Sequence, residues 1–158
     1  MRRWLAVVLL GAVCTAGAQI SLDGPVRGKD HVVSLAEPQV VSAGKPATVV
    51  LLFRVDGGFH INSHTPQSEL LIATQLRLQP AAGLKVGAID YPAGSMYHFR
   101  FDPKESLDVY TGEFRVVVHV TAKAGFSTLS GTLQYQACDE AVCYPARSLP
   151  VQVSITAK

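Results

Sequence analysis

Cys138 and Cys143 are the residues of this chain whose type and spacing could do chemistry. Only Asp139, Glu140, Ala141 and Val142 separate them. A disulfide closing so short a ring gains about 2 kcal/mol at best from loop-closure entropy. A bridge made for stability does more by joining strands distant in sequence, as in immunoglobulin sandwiches. Strained or exposed local bridges are also the more readily reduced ones. Strand parity adds to this. The residues before Cys138 place Leu129, Leu133 and Tyr135 on an apolar face and Thr128, Ser130, Thr132, Gln134 and Gln136 on a polar one. A regular strand would set Cys138 on the polar, accessible face, and a bulge would reverse that.

The spacing is not C-x-x-C, no helix start follows Cys138, and Asp139 and Glu140 would disfavour a thiolate if close. The pair therefore reads as one that exchanges electrons with a partner whose own cysteine is the activated one. Two other readings stay open. One is an inert disulfide in a non-catalytic interaction module. The other is a soft copper site built from the cysteines and His60 or His64. His60 and His64 are four apart, but the segment reads as strand then turn, so they are not expected to share a face. His60 could instead line the cysteines and favour a thiolate. Tyr97, Phe99 and Phe101 alternate, which fits either a strand with one aromatic face or a loop laid over a site. No phosphate-binding glycine loop, ordered Ser/His/Asp set or paired carboxylates are found, and no cofactor or metal is expected.

The compartment follows from the N-terminus. Arg2 and Arg3 precede a short apolar run, Trp4–Val13, and Ala16-Gly17-Ala18 fits a cleavage site. Residues 1–18 are expected to be a signal peptide cleaved before Gln19, and 19–30 a polar leader. The run is short for a membrane span. An anchor left uncleaved, or acylation at Cys14 after the ill-fitting Gly11-Ala12-Val13, are the alternatives. Removal of Cys14 leaves two of three cysteines, an even number, in a space where disulfides persist. Removing Arg2 and Arg3 from 14 basic residues leaves 12, equal to the 12 acidic ones. That balance gives no argument for nucleic acid or an anionic membrane.

The elements that must position the pair are short strands. His31–Leu35 opens the series, and Ala47–Val55 is apolar on both faces, as in a central strand. Phe114, Val116, Val118 and Val120 alternate, as do Leu129, Leu133 and Tyr135, and then Leu149, Val151, Val153 and Ile155. Turn signals separate them at 43–46, 56–58, 80–83, 92–94, 111–112 and 124–125. Thr65-Pro66 could start one helical turn. Residues 91–108 form the longest non-alternating stretch and read as a loop. Length and spacing predict one all-β domain over 31–158, an antiparallel sandwich.

The run Tyr135-Gln136-Ala137-Cys138-Asp139-Glu140-Ala141-Val142-Cys143-Tyr144-Pro145 resembles the N-terminal periplasmic domain of DsbD, an inner-membrane thiol–disulfide reductase. Weaker matches are Gly58–Pro66 and Val109–Phe114, and the resemblance spans roughly 30–156. It implies an immunoglobulin-like fold with the pair on a hairpin near one end. It implies a periplasmic, monomeric electron relay that takes electrons from a thioredoxin-like donor and passes them to thioredoxin-like clients. Those clients would include disulfide isomerase and cytochrome c maturation proteins. Cys143 would form the mixed disulfide and Cys138 would resolve it, with Tyr144 beside them. A cap loop would lie near Tyr97, His98, Phe99 and Phe101, with Phe99 the shielding ring. His60 and Asn62 fall where the family places tyrosines, and the spacer is one residue shorter than the family's familiar one. With the sequence ending at Lys158, either a stand-alone relative or an excised part is expected; if it stands alone, its electron conduit is a separate membrane protein.

Overall fold

Period-2 alternation forces the architecture. In β9 (Glu113–Ala122), Phe114, Val116, Val118 and Val120 are buried while their neighbours face outward. In β10 (Gly125–Tyr135), Leu129, Leu133 and Tyr135 are buried, and in β12 (Arg147–Ala157), Val151, Val153, Ile155 and Ala157. A strand that is apolar on one face must lay that face against another sheet. A computed structural model shows how, and describes residues 29–68, 70–79, 81–98 and 106–158. The segment 1–18 expected to be a signal peptide, Phe99 and Phe101 lie outside the described residues.

Two four-stranded sheets make the sandwich. One runs β1 (Val32–Ser34), β3 (Pro46–Val55), β9, β6 (Leu84–Asp90); the other β2 (Gln39–Val41), β12, β10, β5 (Gln75–Leu78). Val49, Leu51 and Phe53 of β3 meet Leu129, Leu133 and Tyr135 of β10 in one buried cluster. Each such side chain contributes about 1.5–3 kcal/mol on burial. β3 lies between β1 and β9 as its composition predicts, although Val50 on its second face is 39% exposed.

Two expectations need correction. The sandwich is not wholly antiparallel, because β2 pairs with β12 in parallel. After β1 the chain crosses at residues 35–38, through Pro38, from one sheet to the other. No hairpin constrains the direction in which strands so far apart in sequence meet. Gln39 ties the crossing down: its Nε2 donates to the Val50 carbonyl at 2.7 Å and its Oε1 accepts from the Val50 amide at 2.9 Å. Nor does Thr65-Pro66 open a helical turn; the described residues contain no helix. Ser63 Oγ accepts from the Thr65 amide at 3.1 Å and Ser68 Oγ from the Leu70 amide at 3.3 Å. These local bonds compete with a helix too short to nucleate.

A third, smaller sheet closes one end: β11 (Ala137–Cys138), β4 (His60–Asn62), β8 (Ser106–Tyr110) and β7 (Ser95–His98). Two of its strands come from the stretch read as a loop. The register aligns Cys138 with His60, Ile61 with Tyr110, Asn62 with Val109 and Tyr97 with Leu107. Directly opposed residues point to the same side. One face therefore carries Ala137, Ile61 and Tyr110 into the main core. The other gathers Cys138, His60, Asn62, Val109, Leu107 and Tyr97.

Gly131 marks the tightest approach in the sandwich. A Cβ there would run into the Arg77 carbonyl oxygen of β5, which is backbone and cannot swing away. Gly131→Ala is expected to cost about 1–3 kcal/mol of stability in denaturant unfolding. Gly87→Ala, whose Cβ would sit 3.4 Å from the His119 carbonyl oxygen, is expected to change stability by less than about 1 kcal/mol.

Candidate functional site

The cysteine segment starts where β10 stops. Tyr135 ends in the core, Gln136 interrupts the ladder, and Ala137-Cys138 resume it in the small sheet. Cys138 then turns back on Cys143 in an antiparallel bridge, flanked by bonds from the Tyr144 amide to the Ala137 carbonyl (2.8 Å) and the Asp139 amide to the Val142 carbonyl (3.0 Å). The two sulfurs are bonded, with the Cα atoms 4.0 Å apart.

The pair is strongly asymmetric. Cys138 is fully buried, whereas Cys143 is exposed and follows Val142, which is 54% exposed. Parity holds for Cys138 but accessibility does not. Tyr135 and Ala137 keep the core face and Cys138 takes the opposite one, yet residues on both faces of the small sheet are buried here, so Ala137 and Cys138 are buried in succession.

Asp139 organises the turn. Its Oδ1 accepts from the Ala141 amide at 2.7 Å and the Val142 amide at 2.8 Å, and its Oδ2 accepts from the Tyr144 hydroxyl at 2.7 Å. These bonds, the Val142 amide foremost, hold its carboxyl below the ordinary Asp value. The same contact pushes the Tyr144 phenol up. Glu140 is exposed on the turn. The Tyr144 ring sits 6.0 Å from Phe59 and 5.4 Å from His31, which stack on each other at 3.8 Å.

His60 lies opposite Cys138 and is buried, with its ring 4.2 Å from that of Tyr97. Burial lowers its pKa, and the nearby Asp139 charge offsets this in part. Asn62, also buried, donates to the Ile72 carbonyl (3.1 Å) and to Gln136 Oε1 (3.3 Å); Gln136 in turn donates to the Tyr144 carbonyl at 3.2 Å. Tyr97 is half-buried and His98 exposed, both on β7 rather than in a loop. His64 is elsewhere: it stacks on Tyr91 at 3.7 Å and meets the Thr74 carbonyl at 2.9 Å. Among the described residues, no three of His, Cys, Asp and Glu are grouped to hold a metal.

Gln136, Phe59 and His31 are absent from the sequence expectation. For Gln136 a signal existed, a polar residue between the buried Tyr135 and Ala137 of a motif already in view. For His31 and Phe59 there was none, because their contact is made across the fold.

The family model described as "Thiol:disulfide interchange protein DsbD, N-terminal" matches residues 32–154. The chain belongs to that family. Membership carries thiol–disulfide chemistry and contact with thioredoxin-like partners in general terms, and the all-β, immunoglobulin-like fold with its cysteine pair is the one expected. Among solved structures, the reduced N-terminal domain of Neisseria meningitidis DsbD is 23% identical with a TM-score of 0.45. The alignment covers 71% of this chain and 80% of that one. The N-terminal periplasmic domain of Proteus mirabilis ScsB is 16% identical with a TM-score of 0.48, over 78% of this chain and 47% of that one. No curated protein matches.

The turn chemistry of this DsbD-type domain is open to test. Asp139→Ala is expected to raise amide hydrogen exchange at Ala141 and Val142 at least several-fold, with Tyr144→Phe giving a smaller rise. Because the folded-state pKa of Asp139 is lowered, its contribution is intact at neutral pH. It fades only as pH drops below the unfolded Asp value toward the lower folded one. Unchanged exchange in Asp139→Ala would sink this account of the turn.

Proposed function

We propose that the domain works in the periplasm as a thiol–disulfide relay, passing electrons to thioredoxin-like partner proteins through Cys138 and Cys143. The observation that carries the reading is the asymmetry within one disulfide, an exposed Cys143 joined to a fully buried Cys138. Exchange needs one sulfur that a partner can reach in line and another that stays out of its way. Cys143 fills the first role and Cys138 the second. Val142 supplies exposed apolar surface beside the reactive sulfur.

The steps balance as follows. Reduced Cys143, as thiolate, attacks a partner disulfide, and one partner sulfur leaves with the bonding electron pair. Cys138 then attacks the Cys143 sulfur, the intramolecular bridge forms and the partner leaves as a dithiol. Two electrons have moved from the domain to the partner. The Tyr97-bearing hairpin of β7 and β8 serves as the cap over the buried side of the pair.

The local ring contributes only about 2 kcal/mol. Cys143→Ser is therefore expected to fold and to lose all electron transfer to a thioredoxin-like protein. Cys138→Ser is expected to accumulate a mixed disulfide through Cys143, visible on a non-reducing gel. The wild-type pair is expected to equilibrate with thiol buffers between about −180 and −270 mV. A bridge that resists reduction until the domain unfolds would assign the pair to structure and remove the relay.

A further inference from the structure

The relay leaves one atom without a stated partner, the proton on Cys138. While Cys143 is joined to a partner, Cys138 must be a thiolate to attack. Yet it is fully buried, where a charged sulfur is disfavoured, and water does not reach it as it reaches Cys143. The proton must go to a neighbouring group.

The register supplies that group. His60 is directly opposite Cys138 in the β4–β11 ladder, and such pairs hold their Cβ atoms about 4.5–5.5 Å apart on one face. Tyr97 packs on the imidazole ring at 4.2 Å and fixes it from the other side. Leu107 and Val109 of β8, on the same face, bring no charge. Among the described residues, the titratable groups facing His60 are Tyr97 from β7 and Asp139 from the cysteine turn.

Resting on the relay reading, we infer that His60 is the general base of the resolving step. A neutral imidazole nitrogen takes the Cys138 proton as the Cys138 sulfur attacks Cys143. The bond from Cys143 to the partner breaks, and the partner sulfur leaves with the electron pair. In the opposite direction, an incoming thiolate attacks the exposed Cys143 sulfur and Cys138 departs. That direction starts from His60 protonated by solvent, and the imidazolium gives its proton to the Cys138 sulfur as it departs, before the buried charge accumulates. Burial keeps the imidazole in its neutral, proton-accepting form at neutral pH. Asp139 faces the imidazolium that forms during transfer, and its lowered pKa keeps it charged throughout that range.

The test uses the mature, reduced domain mixed with one equivalent of a chromogenic aromatic disulfide in a stopped-flow instrument. The first aromatic thiol reports attack by Cys143 and the second reports resolution by Cys138. In His60→Gln the first phase is expected to change by less than about twofold and the second to slow by about 100-fold near pH 7. In the wild-type protein the second phase should rise through the histidine range and level off below the thiol pKa. A second phase in His60→Gln within about threefold of wild type overturns the role of His60 and leaves the relay intact. If that variant does not fold, the wild-type profile decides. A tenfold rise per pH unit without a break between about pH 5 and 9 means hydroxide removes the proton, and His60 has no part in it. A wild-type protein lacking the first phase overturns the relay reading itself.

Discussion

The burial of the small sheet on both faces is the constraint from which the site follows. A strand with one wet face can place a cysteine only in the core or in water. In β4 the three consecutive residues His60, Ile61 and Asn62 are all buried, and in β11 so are Ala137 and Cys138. One face packs on the main core, and on the other the Tyr97 ring packs against His60. That arrangement creates a second interior, separate from the hydrophobic cluster of the sandwich, in which a sulfur, an imidazole and an amide sit side by side. The disulfide ring is too short to span elements, so both sulfurs must belong to one turn. Only the covering of the sheet makes them unequal.

Such an interior is expensive unless its polar groups find partners. Asn62 meets this in part: its side-chain nitrogen donates to Ile72 and Gln136 and its backbone carbonyl accepts from the Thr74 hydroxyl at 2.6 Å, while its Oδ1 finds no hydrogen-bond donor among the described residues. Gln136 carries the chain of bonds on to Tyr144, and Tyr144 to Asp139. The interruption at Gln136 is thus more than a break in β10. It moves the chain between sheets and links the floor of the site to its rim. Asp139 in turn holds the exposed cysteine's turn through backbone amides, so Cys143 is presented on a fixed support.

The strands of the sandwich were legible because alternation is a local signal: Phe114 to Val120 and Val151 to Ile155 state their own faces. The cysteine pair was legible from spacing alone, since four intervening residues allow little else but a turn. What was not legible depended on contacts distant in sequence. Parity carried from Leu129 set the face of Cys138, but not its burial, because nothing local announces that the chain leaves one sheet at Gln136 for another whose second face is also covered. The parallel pairing of β2 with β12 joins residues from opposite ends of the chain, and no hairpin rule reaches that far. Residues 91–98 lack alternation because β7 is an edge strand, half-covering a polar pocket, so its pattern is neither that of a core strand nor that of a loop. The resemblance in Gly58–Pro66 set His60 and Asn62 near the site, but only the register set His60 opposite the buried sulfur.

That register bears on how the two directions of exchange relate. The rate of attack on a disulfide depends on how readily the departing sulfur carries charge. When a partner attacks Cys143, the departing sulfur is Cys138, buried and facing an ionised Asp139. Both features raise the energy of a Cys138 thiolate. Taken alone they would make the oxidised domain slow to accept electrons, and the reduced domain slow to deprotonate for resolution. An imidazole opposite Cys138 relieves both, as the neutral base in one direction and, by microscopic reversibility, as the imidazolium acid in the other. Asp139, unfavourable to a thiolate, is favourable to an imidazolium. The same carboxylate that would hinder an unassisted cysteine thereby assists one that works through His60.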